Sequence, residues 1–226
     1  ETSSRMKTDA DFLSSLEDSV SNRLLSSGEE DYSSIVNAEL ARLNDFRNAS
    51  FYDETVSEAA AKYIGGIDKQ KEALGKTEVY SEFQLLWDEG AIMRYEALGA
   101  LNEALGFMDG NADFEASYIL GLDDLNRRHE AMLAIEADIV AQTQEYIEAS
   151  SPDGGYSFSF TLMNNTDYAF ESVFEFDMLR EDGTIIESVQ TMVSPQPHSP
   201  YTVTAYVSDN SWVNFNYNNW YNNIYV

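Results

Sequence analysis

The chain contains no cysteine in 226 residues, so disulfides, thiolate nucleophiles and zinc–thiolate sites are excluded. Cations are scarce as well: 13 Lys and Arg face 40 Asp and Glu, for a formal net charge of −27. That balance argues against nucleic-acid partners, whose phosphates are held by Lys and Arg, and against anionic membrane surfaces. It reads as a strongly solvated, self-repelling surface. No apolar run approaches the ~18–20 residues that a membrane helix requires. The four prolines, Pro152, Pro195, Pro197 and Pro200, all follow residue 150, whereas every Lys and Arg except Arg180 precedes it.

This asymmetry divides the chain at Ser150-Ser151-Pro152-Asp153-Gly154-Gly155, a run of turn formers that stops a helix. The resulting expectation is a multi-domain α plus β protein. An antiparallel helical bundle spans 8–150, and a small antiparallel immunoglobulin-like β-sandwich spans 155–226. Before the boundary, apolar residues recur at three- and four-residue steps. Phe12, Leu16, Val20 and Leu24 mark a first helix, capped by Thr8 or Asp9 and stopped at Gly28. Val36, Leu40 and Leu43 mark a second, and Val56, Ala60, Tyr63, Ile67 and Leu74 a third. A long fourth helix covers about 78–108, and a final one carries Leu125, His129, Met132, Ile139 and Tyr146. Short loops between them predict antiparallel neighbours.

After the boundary the period becomes two. Phe158, Phe160 and Leu162 alternate with Ser157, Ser159 and Thr161, and Phe170, Phe174, Phe176 and Met178 form the next apolar face. Glu181-Asp182-Gly183-Thr184 predicts a hairpin turn, because Asp-Gly tolerates the positive φ required there. Val203, Ala205 and Val207, then Val213, Phe215 and Tyr217, complete five or six strands.

Few residues suggest chemistry. Gly75-Lys76-Thr77 imitates the end of a phosphate-binding loop, yet Gln70 stands where its first glycine belongs and no strand precedes it. Asp109, Asn111 and Asp113 imitate half a calcium loop, but Phe114 and Leu120 occupy the required glycine and acid positions. That turn reads as a helix cap. His129 reads as a packing residue on an apolar stripe and His198 as part of an exposed loop. Forty acids offer many carboxylate pairs for glycoside hydrolysis, and abundance removes the specificity of that signal. No catalytic, cofactor-binding or metal-ligating residue is assigned. The closing segment is richer. Trp212, Tyr217, Trp220 and Tyr221 could stack on sugar rings beside Asn214, Asn216, Asn218 and Asn219. Val213, Phe215 and Tyr217 fit a strand core; from Asn218 to Tyr225 the alternation fails. Asn218, Asn219, Trp220 and Tyr221 are therefore the candidate ligand-binding residues.

Tyr63-Ile64-Gly65-Gly66-Ile67-Asp68-Lys69-Gln70, and Leu86-Trp87-Asp88-Glu89-Gly90 with Arg94-Tyr95, resemble uncharacterised lipoproteins of Gram-positive bacteria. The tail resembles their FxLYD module, a small immunoglobulin-like sandwich. It does so through Asn164-Asn165-Thr166 and through Phe176-Asp177-Met178-Leu179-Arg180 followed by Asp182-Gly183, with Met178, Leu179 and Arg180 replacing the usual leucine, tyrosine and aspartate. The resemblance implies export and a place on the outer face of the cytoplasmic membrane, held by a lipid on a cysteine upstream of residue 1. An opening of Glu1-Thr2-Ser3-Ser4 agrees with a processed chain.

The expected function is that of a non-enzymatic, exported surface module that binds or scaffolds a protein or cell-wall component. Contact with the membrane is expected only through the lipid anchor, and no cofactor is expected. The alternatives are a glycan-binding module that uses the closing segment and a carboxylate-dependent glycoside hydrolase.

Overall fold

Helices occupy the N-terminal part of the chain and strands the C-terminal part. The order is α1 (Thr2–Leu25), α2 (Tyr32–Leu43), α3 (Glu54–Ala73), α4 (Tyr80–Leu105), α5 (Ala112–Phe114) and α6 (Gly121–Ala149), followed by β1 (Ser157–Asn164), β2 (Ala169–Leu179), β3 (Ile185–Val193), β4 (Ser199–Tyr206) and β5 (Asn214–Tyr225). The computed structural model describes residues 2–26, 31–77, 80–149 and 155–225, and describes backbone alone at 80, 140, 147–149 and 218–225. The expected helix stop at Gly28 and most of the expected boundary, Ser150 to Gly154, lie outside the described residues.

The chain forms two compact units. One comprises Glu1–Thr77 and Phe83–Asn126, the other Glu78–Glu82 and Arg127–Val226. The division therefore falls within α6, upstream of the turn formers at 150–155 where the sequence pattern changes.

In the helical unit, the three-four spacing becomes burial. Phe12, Leu16 and Val20 of α1, Val36 and Leu43 of α2, Tyr63 and Ile67 of α3, and Leu98 and Leu101 of α4 share one core. Asp31 caps α2 by accepting from the Ser33 amide, and Asp53 caps α3 by accepting from the amides of Thr55 and Val56. α1 begins six residues before the expected cap at Thr8. Asp9 lies inside the helix, buried, and accepts the backbone N–H groups of Tyr52 and Asp53 at 2.9 Å each. A cap residue is defined by whose amide it accepts, and those partners lie more than forty residues away in sequence. Asn111 behaves as expected and caps α5 by accepting from the Phe114 amide at 3.0 Å. One π-helical turn, Glu115–Ile119, follows and carries Tyr118 into the core.

In the strand-rich unit β1 pairs antiparallel with β4, and β2 is the centre of a second antiparallel sheet, β3-β2-β5. Buried faces of both sheets share a ring-rich core of Phe158, Phe160, Phe174, Phe176 and Phe215. The hairpin joining β2 to β3 forms at Arg180–Thr184, with Gly183 at φ +81°. Within this unit the C-terminal part of α6 belongs to the sheet core. Ile135 and Ile139 are buried there, and Tyr146 stacks on Phe160 at 4.4 Å. The Gln142 amide group both accepts from the Met163 N–H and donates to the Met163 carbonyl, each at 2.7 Å. Gln142 thereby satisfies the edge of β1 as a neighbouring strand would.

The closing segment departs from the sequence expectation in two ways. Val213 is 44% exposed, and its place in the core is taken by Trp212, whose indole N–H donates to the Gly155 carbonyl at 2.7 Å. The strand also does not end at Tyr217. β5 runs to Tyr225, with a register shift that leaves Asn218 unpaired between Tyr217 (opposite Phe176) and Asn219 (opposite Glu175). One bulged residue reverses the parity of every residue after it, which is why the alternation breaks although the strand continues.

Candidate functional site

Of the expected ligand-binding residues, Trp220 takes the register position opposite Phe174, Tyr221 that opposite Val173 and Asn219 that opposite Glu175, while Asn218 is the bulge. Their side chains lie outside the described residues. Two rings of the proposed sugar strip are core residues: Trp212 is buried among Phe158 and Phe215, and Tyr217 packs against Phe174 and Phe176. His198 is exposed and bonded to Asp167 at 2.8 Å, and His129 is half-buried on α6. Among the described residues no group of His, Asp and Glu is arranged to hold a metal. No helix of the described residues is long and apolar enough to cross a membrane.

The concentration of chemistry lies in the helical unit, where the two segments Tyr63–Gln70 and Leu86–Tyr95 meet. α3 and α4 cross through facing glycines. A Cβ on Gly90 would lie 2.5 Å from the Gly66 carbonyl oxygen, and one on Gly66 would lie 2.5 Å from that of Gly90. No side chain fits between the two backbones. This approach puts Tyr63 and Gln70 of α3 beside Arg94 of α4, and α1 and α2 contribute Arg23 and Glu39.

These five side chains form one hydrogen-bonded centre. Arg23 Nε donates to Glu39 Oε2 at 2.7 Å, its Nη2 makes a second bond to the same oxygen, and Nη2 also reaches Gln70 Oε1 at 2.9 Å. Tyr63 donates to Glu39 Oε1 at 2.8 Å. Arg94 donates to the Tyr63 hydroxyl at 3.2 Å and to Gln70 Oε1 at 3.3 Å, and its Nη2 lies 3.7 Å from Glu39 Oε1. Its guanidinium carbon also lies 5.0 Å from the Tyr63 ring centroid. The side chain of Arg94 is 2% exposed, yet its Nε has no hydrogen-bond partner. Two guanidiniums thus share one carboxylate.

Protonation follows from this placement. Burial alone would raise the Glu39 carboxyl; the Arg94 and Arg23 guanidiniums outweigh it and hold the group below its ordinary value, ionised at neutral pH. Burial pushes the hydroxyls of Tyr63 and Tyr118 up, so both remain neutral donors. Burial opposes the charge on Arg94, but Tyr63 and Glu39 favour it more strongly and its proton is held more tightly than usual.

Two cavities flank Arg23. One, of about 380 Å³, is lined by Arg23 and Arg94 and by the rings of Tyr32, Trp87, Tyr95 and Tyr118. Tyr32 and Trp87 lie 4.8 Å apart, as do Tyr95 and Tyr118, the latter pair edge to face. The other, of about 680 Å³, places Ser19, Asn22, Asp31, Glu39 and Arg42 around Arg23, beside Leu25, Ile35 and Ala38.

The sequence held a signal for this centre that the motif reading did not use. Glu39 falls on the stripe of Val36 and Leu43, Gln70 on that of Tyr63 and Ile67, and Arg94 on that of Leu98 and Leu101. A polar residue on a buried stripe must find a partner. Its partner, however, lies on another helix. No protein-family model, curated protein or solved structure matches this chain.

Proposed function

We propose that this protein is a non-enzymatic binding module, exported and held at the cell surface, whose helical unit takes a small molecule in the cavity lined by Arg23 and Arg94. One observation carries the reading: two guanidiniums, one of them almost wholly buried and incompletely bonded, converge with four aromatic rings on one concavity. Binding sites bring a few placed polar and charged groups together with aromatic and apolar side chains in one concavity. Stability does not account for it, because a buried ion network is often no better than well-packed apolar residues. The resemblance of Tyr63–Gln70 and Leu86–Tyr95 to surface lipoproteins supports export and a lipid anchor. In the finer description that we propose, the helical unit is an antiparallel bundle and the strand-rich unit an immunoglobulin-like sandwich that displays or spaces it.

The reading is tested by thermal unfolding of the protein against a fragment set containing acids, bases and neutral compounds. A ligand present at a hundred times its Kd adds about 2.7 kcal/mol to the folded state. Trp87→Ala, which removes one wall, is expected to abolish the stabilisation given by the best fragments. If no fragment of any charge raises the Tm of the wild-type protein, or if Trp87→Ala leaves every shift intact, the cavity is not a binding site.

A further inference from the structure

We infer that the ligand of this cavity is a compact organic carboxylate with a flat apolar body, its anionic end at Arg94 and Arg23 and its body between the aromatic walls. The inference rests on the binding role proposed above and names the chemistry of its ligand.

The charged groups decide the sign. Every element around the centre contributes: Arg23 from α1, Glu39 from α2, neutral Tyr63 and Gln70 from α3, Arg94 from α4, and neutral Tyr118 from the π-helical turn. Glu39 is bound by both arginines and by Tyr63, so the five-residue centre carries one net positive charge. The molecule carries 40 acidic residues against 13 basic ones, yet among the described residues no acidic side chain lines this cavity. With two guanidiniums and no acidic side chain among its described lining residues, this concavity favours an anion over a cation. The neighbouring cleft, which Asp31 and Glu39 do line, has no such preference.

The rings favour an organic carboxylate over inorganic phosphate. Guanidinium groups present planar forks of N–H donors that suit carboxylates and phosphates alike, and the Nε and Nη2 of Arg23 are already engaged by Glu39 and Gln70. The unpartnered Nε of Arg94 is a donor that still lacks an acceptor, and an unsatisfied buried donor is costly. Inorganic phosphate has no apolar surface to set against Trp87, Tyr32 and Tyr95, whereas a planar apolar body buries against them and gains from their faces. At about 380 Å³ the cavity lies at the small end of ligand sites, which run from about 300 to 1,000 Å³, so the body is of the size of one aromatic ring with a short arm.

The test is isothermal calorimetry on the full chain with three probes: 3-phenylpropionate, its neutral counterpart 3-phenylpropan-1-ol, and inorganic phosphate. The acid is expected to bind saturably and at least tenfold more tightly than the alcohol, and phosphate is expected to show no saturable heat. Ser117 lines the cavity, is exposed and takes no part in the hydrogen-bonded centre, so Ser117→Trp fills the space without disturbing the ions. That variant is expected to weaken the acid at least tenfold while its Tm stays near that of the wild type. Arg23→Gln is expected to reduce the preference for acid over alcohol, whichever way it moves stability. N-acetyl-Gly-Phe, which bears the same chemistry at a peptide end, distinguishes the source. Tighter binding than 3-phenylpropionate assigns a peptide terminus, and weaker binding assigns a free small acid. Equal or tighter binding of the alcohol, or saturable binding of phosphate alone, overturns the carboxylate assignment while leaving a binding module. Unchanged acid binding in Ser117→Trp overturns the location. Silence from every compound here and in the fragment set removes both readings together.

Discussion

The two units bury polar groups in opposite ways. The strand-rich unit satisfies its backbone through ladders and fills the space between sheets with rings. Phe176 alone stands within 5.2–6.3 Å of the rings of Phe158, Phe160, Phe174, Phe215 and Tyr217. The helical unit places Arg94, Glu39, Tyr63 and Gln70 in its centre, each 3% exposed or less. Helices satisfy their own backbones, so their side chains are free to meet polar partners, provided that the axes come close enough. The Gly66–Gly90 crossing supplies that closeness. An aromatic core is a means of stability that tolerates substitution by degrees. A buried ion centre behaves differently: intact it contributes little, and broken it is destructive.

Three experiments test that contrast. The largest effect is expected for Arg94→Met, which leaves Glu39 buried with half of its cationic support and is expected to cost about 3–5 kcal/mol. Its counterpart, Phe174→Leu in the aromatic core, is expected to cost about 1.5 kcal/mol. Urea denaturation measures both, and equal costs would erase the distinction. A smaller effect concerns acidity. Because the folded Glu39 carboxyl titrates below its ordinary value of 4.5, it contributes stability above that pH and loses it as the pH falls through the folded value. The wild type is therefore expected to exceed Glu39→Gln by about 1–3 kcal/mol at neutral pH, with the gap closing in acid. A gap that does not change between pH 7 and pH 3 would deny the ionised centre. The smallest effect is expected on the surface of the same helix pair. Lys62 and Glu96 approach to 2.5 Å but are about two-fifths exposed, and Lys62→Ala is expected to change stability by no more than about 0.5 kcal/mol. A loss as large as that of Arg94 would show that burial is not what separates these pairs.

Periodicity alone tells which faces are buried, because burial of one face has a local period that any helix or strand must repeat. Helices before residue 150, strands after it, the Asp182-Gly183 hairpin and the Asn111 cap all follow from that and from turn chemistry. Long-range contacts set what the pattern leaves open. Asp9 looks like a helix start and is instead an acceptor for amides at Tyr52 and Asp53. Val213 has the right parity for the core and Trp212 has the depth. A single bulge at Asn218 made a continuing strand look like its end. The polar residues on buried stripes, Glu39, Gln70 and Arg94, were visible one at a time. Their union was not, because periodicity records that a side chain is turned inward and carries no information about which distant side chain it meets. Only the close crossing of α3 and α4 brings the two arginines to one carboxylate and to one cavity.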